Sequence, residues 1–140
     1  LKLLVVLISL FVGNAFACSC AEWGNAREML VSAQAAFVGM PVNARRGEIN
    51  PESGESFVVT SFRVLRSFKP RSMERVFTHS DQGNGGNCGT NFRTGVAYLV
   101  FAYKHEGKLY TDSCSLKEVS TSSSREMNRF LRELEYLSRQ

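Results

Sequence analysis

Four cysteines limit what this 140-residue chain can become. Two stand in the triplet Cys18-Ser19-Cys20, and the others, Cys88 and Cys114, lie far downstream. In an extended segment residues i and i+2 point to the same side, so Cys18 and Cys20 present both sulfurs in one direction. A bond between those two would close a tight, strained ring. Each therefore calls for a remote partner, and Cys88 and Cys114 are the two available. Such bonds close loops on the order of 70 to 95 residues, worth at most about 4–5 kcal/mol in chain entropy. The spacing leaves both assignments open, and either one staples the start of the domain to its second half.

What precedes the triplet sets the compartment. Residues 3–12 are apolar apart from Ser9, follow Lys2, and lead into Ala15-Phe16-Ala17, the small-residue pattern of a signal-peptide cleavage site. A membrane span needs roughly 20 apolar residues, more than this run contains. The expectation is a signal peptide over 1–17, cut after Ala17, and an exported single domain over 18–140, extracellular or periplasmic. Disulfides are at home in that setting. With 44% hydrophobic and 21% charged residues the chain has the means for a packed core and does not resemble a disordered tract.

The remaining pattern is mostly β. Ala26, Met29, Leu30 and Ala33 recur at helical spacing behind the capping pair Asn25 and Glu28, which predicts a short helix over 25–34. Strands are expected over 35–42, over 57–68 and, more weakly, over 75–78, with a polar loop over 45–56. In the second strand Val58, Thr60, Phe62, Val64 and Phe68 share one parity. The glycine-rich tract 82–89 reads as a loop pinned by Cys88. Residues 96–103 are nearly all apolar, as in a strand covered on both faces, and the turn at 105–108 leads into a partner strand over 109–114. A final helix over about 123–137 opens on a Ser123–Glu126 capping box and buries Met127, Phe130, Leu131, Leu134 and Leu137. The class is mainly β: a five-stranded, OB-like closed barrel with short flanking helices and a disulfide-stapled N-terminus.

Several chemistries find no support. His79 and His105 stand apart, without metal-ligand spacing, and C-x-C with two scattered partners is not a pair of zinc knuckles. A redox C-x-C pair needs an exposed thiolate, which remote partners would consume. The glycine tract lacks the Gly-Lys-Ser/Thr of a phosphate loop. Trp23, Phe37, Phe62, Phe77, Tyr98 and Phe101 read as core rather than as a base-stacking platform, so no nucleic-acid partner is expected. Arg63, Arg66, Lys69, Arg71 and Arg75 read as a solvated basic face. No serine or cysteine nucleophile is matched to a base, so neither an enzyme nor a cofactor is expected.

Taken together, Cys18-Ser19-Cys20, Ala36-Phe37-Val38-Gly39, Phe68-Lys69-Pro70, Cys88-Gly89, Gly95-x-x-Tyr98-Leu99-Val100, Gly107-Lys108-Leu109 and Ser113-Cys114-Ser115 form a recognisable pattern. It resembles the inhibitory N-terminal domain of the tissue inhibitors of metalloproteinases, a netrin-like domain with an OB-type barrel. The resemblance runs from Cys18 to about residue 120 and is most specific in its cysteine spacing. It implies disulfides pairing Cys18 with Cys88 and Cys20 with Cys114. It also implies a zinc metalloproteinase as partner, a monomeric inhibitor, and an inhibitory wedge made of Cys18, Ser19, Cys20 and Ala21. Gly86 and Asn87 would supply a second ridge of contact. The chain departs from the family in having Ala21-Glu22-Trp23 where prolines are usual, and in lacking the cysteines of a third disulfide.

The implied chemistry can be stated on first principles. A catalytic zinc keeps one position open, normally filled by water. The α-amine and carbonyl oxygen of a single N-terminal residue, here Cys18, can occupy the coordination sphere as a five-membered chelate. Only the neutral amine binds, and an α-amine, with a pKa of about 7.7–8.0, sheds its proton far more readily than a lysine. Ser19 would enter the pocket that normally takes a substrate side chain. Two other expectations compete: a secreted netrin-like binding or structural module that inhibits nothing, and a lipoprotein in which Cys18 is acylated and becomes a membrane anchor.

Overall fold

The computed structural model describes residues 19–49, 51, 54, 56–70, 75–81, 90–119 and 124–140. The leader over 1–17, Cys18, the glycine-rich tract with Gly86, Asn87 and Cys88, and Ser123 lie outside the described residues.

Among the described residues both helices begin where polar side chains can take up orphan amides. In α1 (Ala26–Ser32) the Asn25 side chain accepts from the Glu28 N–H at 3.0 Å, and the Glu28 carboxylate accepts from the Asn25 N–H at 3.1 Å. That reciprocal box satisfies donors the first turn leaves unpaired. In α2 (Arg125–Leu137) the N-cap is Ser124, whose hydroxyl accepts from Met127 N–H at 3.1 Å. The expected box from Ser123 to Glu126 is thereby corrected by one residue. A run of serines offers several equivalent caps, and the docking of Leu131 and Leu134 chooses among them.

Six strands form one sheet: β1 (Ala35–Ile49), β2 (Ser56–Lys69), β3 (Arg75–Asp81), β4 (Ala97–His105), β5 (Lys108–Tyr110) and β6 (Leu116–Val119). β1 pairs antiparallel with β2 from Ala36 opposite Lys69 to Ile49 opposite Ser56, and with β4 from Ala35 opposite Ala102 to Gly39 opposite Tyr98. The pairing order β1-β2-β3-β5-β4, with β1 also on β4, curls the sheet strongly. It does not close into the expected barrel. β3 meets β5 through a single parallel bridge, His79 opposite Tyr110, because β5 is three residues long. One bridge is not the staggered ladder that closure requires. The result is a curled half-barrel, mainly antiparallel, with β6 as an unforeseen sixth strand beside β4.

Two apolar clusters lie on opposite faces of this sheet, and β4 feeds both. Tyr98, Val100 and Ala102 face the inside of the curl with Ala35, Phe37 and Phe62. There Phe37, Phe62, Phe92 and Tyr98 meet in successive edge-to-face contacts of 4.8–5.5 Å. Leu99 and Phe101 point the other way, to a layer shared with Ala26 and Ala33 around α1 and Leu131 and Leu134 of α2. Residues 98–102 are all buried, which explains the unbroken apolar run. The register of β2 on β1 slips between Val38 and Gly39, with Leu65 as the extra residue. That bulge sends Phe62 into the curl and Phe68, of equal parity, toward the helices. At Gly39 a side chain would stand 3.0 Å from the Phe37 ring and 3.2 Å from the Arg63 carbonyl, so the buried ring would have to shift to admit one. The β4–β5 turn has positive φ at Glu106 (48°) and Gly107 (79°), the pattern of a two-residue hairpin turn.

Helix α2 is tied to β2 at its solvent edge. Arg139 donates to Glu135 at 2.9 Å and Arg66 approaches the other oxygen at 3.3 Å. The Arg139 hydrogen bond, opposed by partial burial and aided by Arg66, holds the Glu135 carboxyl below its ordinary value of 4.5. A carboxyl lowered in the folded state stabilises the protein fully above its unfolded pKa and loses that effect as pH falls through the folded one. Glu135→Gln is expected to cost under about 1 kcal/mol at pH 7, because a half-exposed pair is screened by water and salt. The cost should be smaller at about pH 3, because the carboxylate is progressively protonated as the pH falls toward its lowered folded-state pKa. Urea denaturation at the two pH values reads it; an equal loss at both would mean Glu135 acts through packing instead.

Candidate functional site

The residues singled out by sequence lie, where described, in the chain ahead of α1 and at Cys114. Ser19, Cys20, Ala21 and Glu22 run without regular secondary structure ahead of α1, and all four are exposed. Exposed chain of that kind is ordinarily free to move. Here it is held from below at one residue, Cys114.

The covalent hold is the disulfide between Cys20 and Cys114, with Cα atoms 5.2 Å apart and a separation of 94 positions in sequence. The pairing implied by the resemblance for these two cysteines is present. Its counterpart from Cys18 to Cys88, and the second ridge at Gly86 and Asn87, lie outside the described residues. The non-covalent hold comes from Trp23. Its indole N–H donates to the Cys114 carbonyl at 2.7 Å. The ring stands edge-to-face on Phe101 at 5.2 Å, touches Phe130 at 5.7 Å, and has the Lys117 ammonium 4.4 Å from its centroid.

Cys114 in turn belongs to a turn that is fastened to the core. Its N–H donates to the Asp112 carboxylate at 2.9 Å, and the Ser115 N–H donates to the Asp112 carbonyl at 3.1 Å. Such aspartate turns are compact and locally self-supporting. On either side of it, the Phe101 N–H donates to the Ser115 carbonyl at 2.8 Å and the Thr111 hydroxyl donates to the Phe101 carbonyl at 3.1 Å. Phe101 is fully buried in β4. The exposed segment is thus connected, through Cys114 and the 111–115 turn, to the most protected strand of the fold.

Trp23 was readable from sequence only as a core residue. Its second role, as donor to the backbone beside the disulfide, had one available signal: a part-buried indole N–H requires an acceptor, and the residue lies three positions from Cys20. The Asp112 turn carried no comparable cue. His105 is exposed, 3.9 Å from Glu106 in the hairpin turn, and His79 sits in β3 opposite Tyr110. Among the described residues no three histidine, cysteine or acidic side chains gather as metal ligands. Of the basic residues in and after β2, Arg66 is committed to Glu135, and Lys69 caps α1 by donating to the carbonyls of Leu30 and Val31. No helix among the described residues is long and apolar enough to cross a membrane.

The indole hydrogen bond is testable by itself. Trp23→Phe retains an aromatic ring against Phe101 and Phe130 but removes the donor, and is expected to lower stability by about 1 kcal/mol in urea titrations followed by circular dichroism. An unchanged midpoint would mean the bond to Cys114 contributes nothing. Compared with known proteins, the chain matches no family model and no curated protein.

Proposed function

We propose that this chain is an exported netrin-like inhibitor of zinc metalloproteinases, acting through an N-terminus freed at Cys18. The observation that carries this reading is the exposed segment 19–22, presented to solvent yet held at Cys114 by both a disulfide and the Trp23 hydrogen bond. A segment meant to enter a protease cleft has to be accessible, and it binds more tightly when its conformation is fixed beforehand. The curled sheet with strand order β1-β2-β3-β5-β4 also supports an OB-type relationship, since that class is a partly open five-stranded barrel.

In this reading cleavage after Ala17 leaves Cys18 with a free amine. The amine, once neutral, and the Cys18 carbonyl oxygen displace water from the catalytic zinc of the partner. Ser19 then lies at the mouth of the pocket beside the zinc, and Cys20 and Ala21 continue along the cleft as an extended strand. Gly86 and Asn87 supply the second ridge. Because the ligand is an amine that must shed its proton, binding strengthens as pH rises toward about 8 and levels off above it.

The test compares two preparations against a panel of zinc endopeptidases: the chain beginning at Cys18, and the same chain with one alanine added ahead of it. Inhibition by the first and a loss of roughly 100-fold or more in the second, equivalent to about 2.7 kcal/mol, is expected. Equal inhibition by both would refute chelation. Inhibition by neither would assign the fold to a non-inhibitory netrin-like module.

A further inference from the structure

Beside the pinned segment lies a cleft of about 470 Å³, between the chain at residues 22–24, β6 and the first turns of α2. Its walls include the half-buried Trp23, Met127 and Phe130, and the exposed Glu22, Glu126 and Lys117 reach into it from three different elements. The chemistry is unequal. Two carboxylates share the cleft with one ammonium, and that ammonium lies over the Trp23 ring, 4.4 Å from its centroid. Among the described residues neither Glu22 nor Glu126 takes part in an ion pair. The cleft therefore has a surplus negative charge and an aromatic wall that already attracts a cation.

We propose that this cleft is a binding site for an arginine side chain presented by a protein partner. A guanidinium suits it on three counts. Its flat, weakly hydrated face stacks on indole and phenyl rings, its donors fork toward carboxylates, and its apolar stem covers surface such as that of Met127. An anion would meet Glu22 and Glu126, and a purely apolar group would leave both carboxylates desolvated. Lys117 occupies the position over Trp23 that the incoming cation would share, so it weakens the site rather than building it. The cleft adjoins the proposed inhibitory segment at Glu22 and Trp23, but its occupancy requires no zinc chelation and stands or falls independently of it.

Trp23 is the single tryptophan of the chain, so its fluorescence reports on the cleft directly. The full chain is titrated with acetyl-arginine-methylamide and, separately, with the citrulline counterpart, which replaces the guanidinium by a neutral urea of nearly the same shape. A saturable change in Trp23 emission is expected with arginine, with citrulline at least roughly tenfold weaker. Glu22→Gln and Glu126→Gln should each weaken arginine binding by roughly two- to fivefold, as for exposed charge pairs. Lys117→Met should strengthen it by a similar factor. No saturable change in the unaltered chain, or equal titration by arginine and citrulline, would overturn the proposal without recourse to any variant. Weaker binding after Lys117→Met, or no effect of either glutamate substitution in a folded variant, would overturn it as well.

Discussion

The bond from Cys20 to Cys114 is the constraint on which the exposed end of this molecule depends. Without it, residues 19–22 are polar or small, lack regular secondary structure, and have no apolar surface large enough to hold them down. With it, they inherit the rigidity of the turn at 111–115, and through that turn the rigidity of β4. Trp23 reinforces the link from the same side by bonding to the carbonyl of the cysteine that carries the disulfide. A covalent and a polar contact on one residue fix direction as well as position, which a single tether does not.

β4 can bear this load because both its faces are covered. Inside the curl it meets Phe37 and Phe62, and on the outside it meets the two helices. Phe101 shows the economy of the arrangement: its ring supports Trp23, its N–H and carbonyl hold the 111–115 turn, and its side chain belongs to the helix-facing cluster. The periphery is held more lightly. The pairs Arg93–Glu118, Lys108–Glu48 and Arg66–Glu135 sit at exposed positions where water screens them. They orient strand and helix edges, while burial supplies the stability.

The sequence was most legible where a local rule had no competitor. The Asn25–Glu28 cap, the apolar run of β4 and the Glu106-Gly107 turn each follow from a few adjacent residues. It was less legible where partners decide. Residues 45–48 carry charge and a glycine, the composition of a loop, yet they continue β1 because β2 pairs with the strand as far as Ile49, with the side chains largely in solvent. β6 is four residues long and exists through its pairing with β4. The bulge at Leu65 reassigns Phe68 to the outer cluster, which a parity count cannot anticipate. Closure of the barrel failed at β5, whose shortness depends on where the Asp112 turn begins. For the candidate site, the triplet was conspicuous but the choice of Cys114 for Cys20 came from family resemblance, since spacing alone left two assignments. The role of Trp23 depends on an acceptor 91 positions away, the Cys114 carbonyl, which no local pattern signals.

The proposed inhibition rests on one physical statement: an exposed segment next to the proposed free N-terminus is held rigid before any partner arrives. Backbone amide order parameters of residues 19–22, measured by nitrogen-15 relaxation on the oxidised protein, test that statement most directly. Values near those of a rigid backbone, about 0.85, are predicted, with a marked fall when the Cys20–Cys114 bond is reduced. Values below about 0.6 in the oxidised protein would contradict it, because a segment that mobile has not been positioned by Cys114 at all.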